Sequence, residues 1–362
     1  MLRITRFIRC ALEGRPFESF RGIILIWNLT NRCNLYCRHC YASARSEASG
    51  DLSTEEALAL IPSLRRAGVR FAVLSGGEPL LREDLPEIAV KLKEEGIRTY
   101  LSTNGTLLNR GNVREIAPYF DYVGISVDGT PVIHNAFRGK ASSFEGAVKA
   151  VEACLSEGVK TGLRFTLTPA TLPGLPFVFR LARTLGVSKV YISHLVHAGR
   201  GTGLRNLPGR EYRSAVEFIV EKALVWAESG VETEIVTGNN DADGVVLYRK
   251  FSDRYPERSS EMLSLLKAWG GNQAGVRIVN IDHKGNVKPD PFFPVILGNV
   301  KEKPFEEIWN SNGVLSFLRE RPRRLVERCS SCPHLEICNG NSRARALIAY
   351  GDIRAEDPAC YL

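Results

Sequence analysis

Between residues 23 and 194 six apolar, β-branched runs recur: "IILIWNLT", "RFAVLSGG", "RTYLSTNG", "DYVGISVDG", "KTGLRFTLT" and "KVYISHLV". Helical patterns separate them. The stretch 53–68 opens on a Ser/Thr cap with Glu in its first turn and closes on Gly; 85–96 and 143–158 also close on Gly. Strand-then-helix repetition implies a parallel sheet, because parallel neighbours need a crossover long enough to hold a helix. The expected fold is α/β, an open, partial (β/α)6 barrel. In such a sheet the site lies at the C-terminal strand ends. Polar and glycine residues gather there, in "SGGEP", "STNG", "SVDG", "RFTLT" and "SHLVHAGRG".

Three of the nine cysteines, Cys33, Cys37 and Cys40, follow the first strand directly. A second group is Cys329, Cys332, Cys338 and Cys360, while Cys10 and Cys154 stand alone. Clustered thiols in a chain of this size point to metal rather than to a disulfide framework. Three thiolates can hold three irons of a four-iron cluster and leave the fourth open, whereas a structural site is closed. A zinc site completed by His39 is the alternative for the first group. A zinc knot fits the spacing of the second.

The spacing C-x3-C-x2-C after the first strand, followed by "SGGEP", resembles the radical S-adenosylmethionine (SAM) superfamily. The resemblance implies that Gly76, Gly77, Glu78 and Pro79 bind the methionine amine. It places Ser126 and Asp128 near the ribose and Arg164 on the methionine carboxylate, where a guanidinium fork fits. Ser102 and Asn104 line the same mouth. The expected chemistry is one-electron cleavage of SAM, with the resulting 5′-deoxyadenosyl radical abstracting hydrogen from substrate.

The second group, Cys329-x2-Cys332-x5-Cys338-x21-Cys360, resembles part of the SPASM extension of that superfamily. Asn272, Asp290 and Asn341 stand where other members carry cysteine, so one of two auxiliary clusters is expected to be lost and one [4Fe-4S] cluster kept. The expected cofactors are therefore SAM and two [4Fe-4S] clusters. The expected domains are an N-terminal segment 1–20, the barrel 21–208, a helical linker region 209–270 and a SPASM-like unit 271–362.

Longer stretches, among them "YVGISVDG", "TGNNDADG", "LGNVKEKPFEEIW" and "GDIRAEDPACYL", resemble the haem d1 branch of the superfamily and its relatives, the didecarboxysirohaem deacetylases of the alternative haem pathway. The resemblance implies an iron tetrapyrrole substrate, didecarboxysirohaem, and removal of propionate side chains; the alternatives are acetate removal and peptide maturation. A net charge of +8 suits a polycarboxylate substrate and an acidic, low-potential electron donor such as flavodoxin or ferredoxin. Arg200 and Arg205 are candidate carboxylate partners. His194 and His197, and more weakly His134, are candidates for contact with substrate iron or for proton relay. No block of consecutive basic residues marks a nucleic-acid arm, no 18-residue apolar run marks a membrane span, and the N-terminus lacks a signal-peptide core, so a cytoplasmic protein is expected.

Overall fold

The computed structural model describes residues 1–18, 21–47 and 49–362. Its strands are β1 (Ile23–Asn28), β2 (Val69–Ser75), β3 (Arg98–Thr103), β4 (Tyr122–Ser126), β5 (Thr161–Leu167), β6 (Lys189–His194), β7 (Glu234–Gly238), β8 (Ile278–Ile281), β9 (Asn286–Lys288) and β10 (Gly298–Asn299). All ten form one sheet in the order β10-β9-β8-β1-β2-β3-β4-β5-β6-β7. The run β1 to β6 is sequential and parallel, as expected for a partial barrel, and β7 extends it.

The helices follow their sequence signals. The helix Thr54–Arg66 begins with a capping box in which the Ser53 hydroxyl accepts from Glu56 N and the Glu56 carboxylate accepts from Ser53 N. Its buried face, Ala57, Leu60, Ile61 and Leu64, packs on the outside of the sheet in the main core with Leu25, Trp27 and Leu74. Along β5, Leu163 and Leu167 join that core, and the alternation turns Arg164 and Thr166 inward.

Two features lie beyond the sequence expectation. Residues 209–270 hold the 20-residue helix Gly209–Glu228 but also β7, which hydrogen-bonds to β6. The hairpin β8–β9 lies against the opposite edge, with β8 parallel to β1 in the register Ile26↔Asn280 and Trp27↔Ile281. The N-terminal segment is structured as well. Leu2 makes an antiparallel bridge to Thr237 of β7, and the helix Ile4–Leu12 packs against β7 and the helix Gly209–Glu228. Among the described residues no helix is long and apolar enough to cross a membrane.

Candidate active site

The strand ends of β2 to β6 present short hydroxyl side chains, Ser75, Ser102, Ser126, Thr166 and Ser193, around one cavity. The loop after β1 brings Cys33, Cys37 and Cys40 to the same cavity. Burial pushes the Cys33 thiol up to about 11, and the neighbouring Cys37 and Cys40 add to the rise. All three are free.

The turn after β2 is docked against this loop. Gly77 N donates to Thr30 O at 2.7 Å and Glu78 N to Arg32 O at 2.8 Å. A Cβ on Gly77 would lie 2.1 Å from Arg32 O, and one on Gly76, where φ is +142°, would lie 2.4 Å from Thr30 O. Only glycine permits this approach, which leaves a side-chain-free edge beside the thiols. Glu78 and Pro79 are buried behind that edge. The Glu78 carboxylate accepts from Thr103 Oγ1 (2.7 Å), Asn104 N (2.8 Å) and Leu80 N (3.2 Å), and burial pushes its pKa up to about 7. It therefore fixes the β2 and β3 loops to each other. Asn104 in turn donates to Asn34 Oδ1 at 2.8 Å, tying the β3 loop to the cysteine loop.

Asp128 has the same supporting position. It is fully buried, with Oδ1 accepting from Thr166 N at 2.7 Å and Oδ2 from Arg138 Nε at 2.6 Å. Its own N–H donates to His134 Nδ1 at 3.1 Å, so that nitrogen carries no proton; burial holds the His134 pKa down at about 3. Arg138 also lies 3.8 Å from Cys37 Sγ. The sequence reading passed over Arg138, which sits at the end of the helix Pro131–Arg138, where a cation is unremarkable.

Arg164 lines the cavity with its guanidinium 4.8 Å over the Tyr191 ring, and no carboxylate among the described residues pairs with it. Arg200 behaves differently. It spans the cysteine loop, donating from Nε to Cys37 O (2.9 Å) and from Nη1 to Ala44 O (2.7 Å), and its backbone N–H reaches Cys40 O (3.0 Å). Its guanidinium stacks 4.0 Å from the Tyr36 ring. Arg205 lies exposed further along that loop. His197 Nε2 is 3.1 Å from Leu204 O, within the loop. The β6 alternation turns Tyr191 and Ser193 to the cavity; His194 also borders it, with its ring against Tyr212 and Nε2 2.9 Å from Asp243 Oδ2. Tyr361 donates to the other Asp243 oxygen at 2.5 Å. His39 stacks on Phe137 with ring centroids 4.4 Å apart, which gives it a packing role.

In the C-terminal unit Cys332 and Cys360 lie within electrostatic reach of both Cys329 and Cys338. Burial pushes Cys338 up to about 12 and raises Cys329 and Cys360, and the neighbouring thiols add to each. Arg343, fully buried beside them, leaves its Nε without a partner. A four-thiolate anion suits that orphaned donor. The three positions lacking cysteine are filled otherwise. Asn272 donates to Asp241 Oδ2 (3.1 Å), Asp241 N to Asn341 Oδ1 (2.7 Å) and Asn341 to Asn240 Oδ1 (2.6 Å), a closed amide network. Asp290 accepts from Phe292 N at 2.8 Å as a turn residue, and burial pushes its pKa up to about 6.

A partial parallel barrel with three free thiols at its mouth and a glycine edge beside them has the form of a radical SAM enzyme. The radical SAM superfamily pattern matches residues 27–177, and the SPASM pattern, an iron-sulfur cluster-binding domain, matches 273–333. The chain belongs to the radical SAM enzymes that carry a SPASM domain. The Pre-heme d1 synthase of Dinoroseobacter shibae is 41% identical over 100% of this chain and 92% of its own length. The Fe-coproporphyrin III synthase of Methanosarcina barkeri is 40% identical over 96% of this chain and 89% of its own. The fold is similar to that of Streptococcus suis SuiB bound to S-adenosylmethionine, with a TM-score of 0.72 at 17% identity, covering 94% of this chain and 77% of that one. The cofactors are SAM with a [4Fe-4S] cluster, and an iron–sulfur cluster in the SPASM domain.

Proposed function

We propose that the enzyme acts on the iron tetrapyrrole didecarboxysirohaem and initiates removal of propionate side chains, the reaction of haem d1 formation. The observation that carries this reading is the 41% identity to a Pre-heme d1 synthase along the whole chain. A nearly equal 40% identity to an Fe-coproporphyrin III synthase supports a second reading, removal of acetate side chains from the same substrate.

Cys33, Cys37 and Cys40 hold the first cluster, and Cys329, Cys332, Cys338 and Cys360 the second. SAM bound at the open first cluster supplies a carbon radical able to take hydrogen from an unactivated C–H bond. The protein's own residues bind, orient and shield. The Gly76–Gly77 edge offers backbone groups to the methionine amine. Arg164, free of any carboxylate among the described residues, takes the methionine carboxylate. Ser102, Ser126 and Asn104 contact the nucleoside end. Glu78, Asp128 and Arg138 act behind these contacts by fixing the loops that carry them. Tyr41 and Phe292, in edge contact with ring centroids 5.2 Å apart, screen one side of the cavity from water. Arg205, exposed on the loop after β6, meets a substrate carboxylate. On this reading the electron donor is an acidic flavodoxin or ferredoxin and the enzyme works in the cytoplasm.

Anaerobic incubation with didecarboxysirohaem, SAM and dithionite, followed by mass analysis, tests the reading. Propionate loss supports it, acetate loss selects the second reading, and absence of 5′-deoxyadenosine overturns both.

A further inference from the structure

Among the described residues, two buried guanidinium groups of the C-terminal unit make no direct ion pair with a carboxylate. Arg345 is unlike them, because it forms a fork with Asp357 at 2.7 and 2.8 Å. Arg323 is 1% exposed and donates only to carbonyls: those of Leu318 (2.7 Å), Asn339 (3.0 Å) and Asn272 (3.2 Å). Arg343, 0% exposed, donates from its terminal nitrogens to Ile353 O, Ala355 O and Gly340 O, and its Nε–H has no partner among the described residues. Gly340, at φ +81°, is bent so closely over Arg343 that a Cβ there would lie 3.2 Å from Cζ. The guanidinium is thus fixed in place.

A buried cation held only by dipoles is strongly unfavourable unless a counter-ion stands nearby. Burial accordingly pulls both arginines below their ordinary range. The anionic groups within Coulombic reach are Asp357, already forked with Arg345, then Cys329 and Cys338 for Arg343, and Asp241, then Cys338 for Arg323. A four-thiolate cluster is a net anion and gains charge on reduction. Fixed positive charge and N–H donors at its sulfurs favour the reduced form.

We propose that Arg343 donates its Nε–H to a sulfur of the C-terminal cluster and, with Arg323, forms the fixed countercharge that raises this cluster's reduction potential. Arg343 is a positioning residue for electron transfer, and it does not touch substrate. The inference rests on the reading that Cys329, Cys332, Cys338 and Cys360 hold an iron–sulfur cluster. The cluster is then kept reducible by a donor that also serves the first site.

The test uses the reconstituted full chain grown with guanidino-15N arginine. SAM perturbs the electron paramagnetic resonance of the open cluster only, so the SAM-insensitive signal reports the C-terminal one. Absence of that signal and of its irons defeats the cluster reading itself. With the signal present, a resolved 15N coupling is expected in the wild-type protein, lost in Arg343→Lys and Arg343→Gln. No 15N coupling in the wild type overturns the proposal. In Arg343→Gln the reduced-to-oxidised ratio at fixed potential should fall about tenfold, ~59 mV for one electron, and Arg343→Lys should recover part of it. An unchanged potential in an iron-replete Arg343→Gln overturns the countercharge role. So does loss of the C-terminal irons from both variants, because a retained charge should have rescued one of them.

Discussion

Arg138 joins the two halves of the mouth: its guanidinium is 2.6 Å from the Asp128 carboxylate and 3.8 Å from Cys37 Sγ. The pair is buried, so its worth lies in what remains when one partner goes. Arg138→Met leaves Asp128 charged, buried and short of a partner, at a cost of about 3–5 kcal/mol. Urea unfolding should show that loss. Adding Asp128→Asn should return part of it, and a double variant no more stable than the single would contradict the account.

Glu78 gives a pH signature. Its folded pKa, about 7, lies above the ordinary glutamate value of 4.5, because burial disfavours the charged form. Between those values the folded chain binds more protons than the unfolded chain, so this group's contribution to stability falls as pH rises from 4.5 through 7. Glu78→Gln removes that slope. It also turns an amide donor toward Asn104 N or Leu80 N, a mismatch of about 1–3 kcal/mol. The variant should be less stable at acidic pH and draw nearer to wild type by pH 8, as read by unfolding at several pH values.

Gly77→Ala pushes a methyl into the Arg32 carbonyl. The glycine edge and the cysteine loop must then part, with overpacking of about 1–3 kcal/mol. The expected outcome is a folded protein with weakened SAM binding and incomplete iron at the first site. Wild-type SAM affinity in this variant would show that the close approach is dispensable.

Cys338→Ala should remove about four irons per chain and leave the first cluster intact. Cys33→Ala should do the reverse and abolish 5′-deoxyadenosine formation. Iron and sulfide counts decide. A zinc-containing wild-type protein would sink the auxiliary-cluster reading.

Arg200 and Arg205, neighbours on one loop, should separate cleanly. Arg200→Ala loses two hydrogen bonds to the cysteine loop, so SAM cleavage should fall several-fold even without substrate. Arg205→Ala leaves that cleavage unchanged and raises KM for the tetrapyrrole, an effect that shrinks with added salt. Equal loss of substrate-free cleavage in both variants would refute the distinction.

The parts of this site that were legible in the sequence are those whose spacing is local. The six strands, the C-x3-C-x2-C loop and the helix ends announce themselves within a dozen residues. β7 did not: "EIVTG" is five residues long between two helices, and only its pairing with β6 and Leu2 makes it a strand. The parallel seating of β8 against β1 joins residues some 250 positions apart, which no local pattern encodes. The partners of Glu78, Asp128 and Arg200 were not legible for a related reason. A motif identifies a charged side chain, but its direction follows from what lies opposite, and here backbone donors and carbonyls of other loops claim all three.

The unbroken pairing from β10 through β1 to β7 has a mechanical result. The start of the C-terminal unit, β8 to β10, is joined to the barrel by a single hydrogen-bonded seam. The segment 195–207 is pinned to the cysteine loop by Arg200, and Phe292 of the apolar stretch 291–297 lines the same mouth.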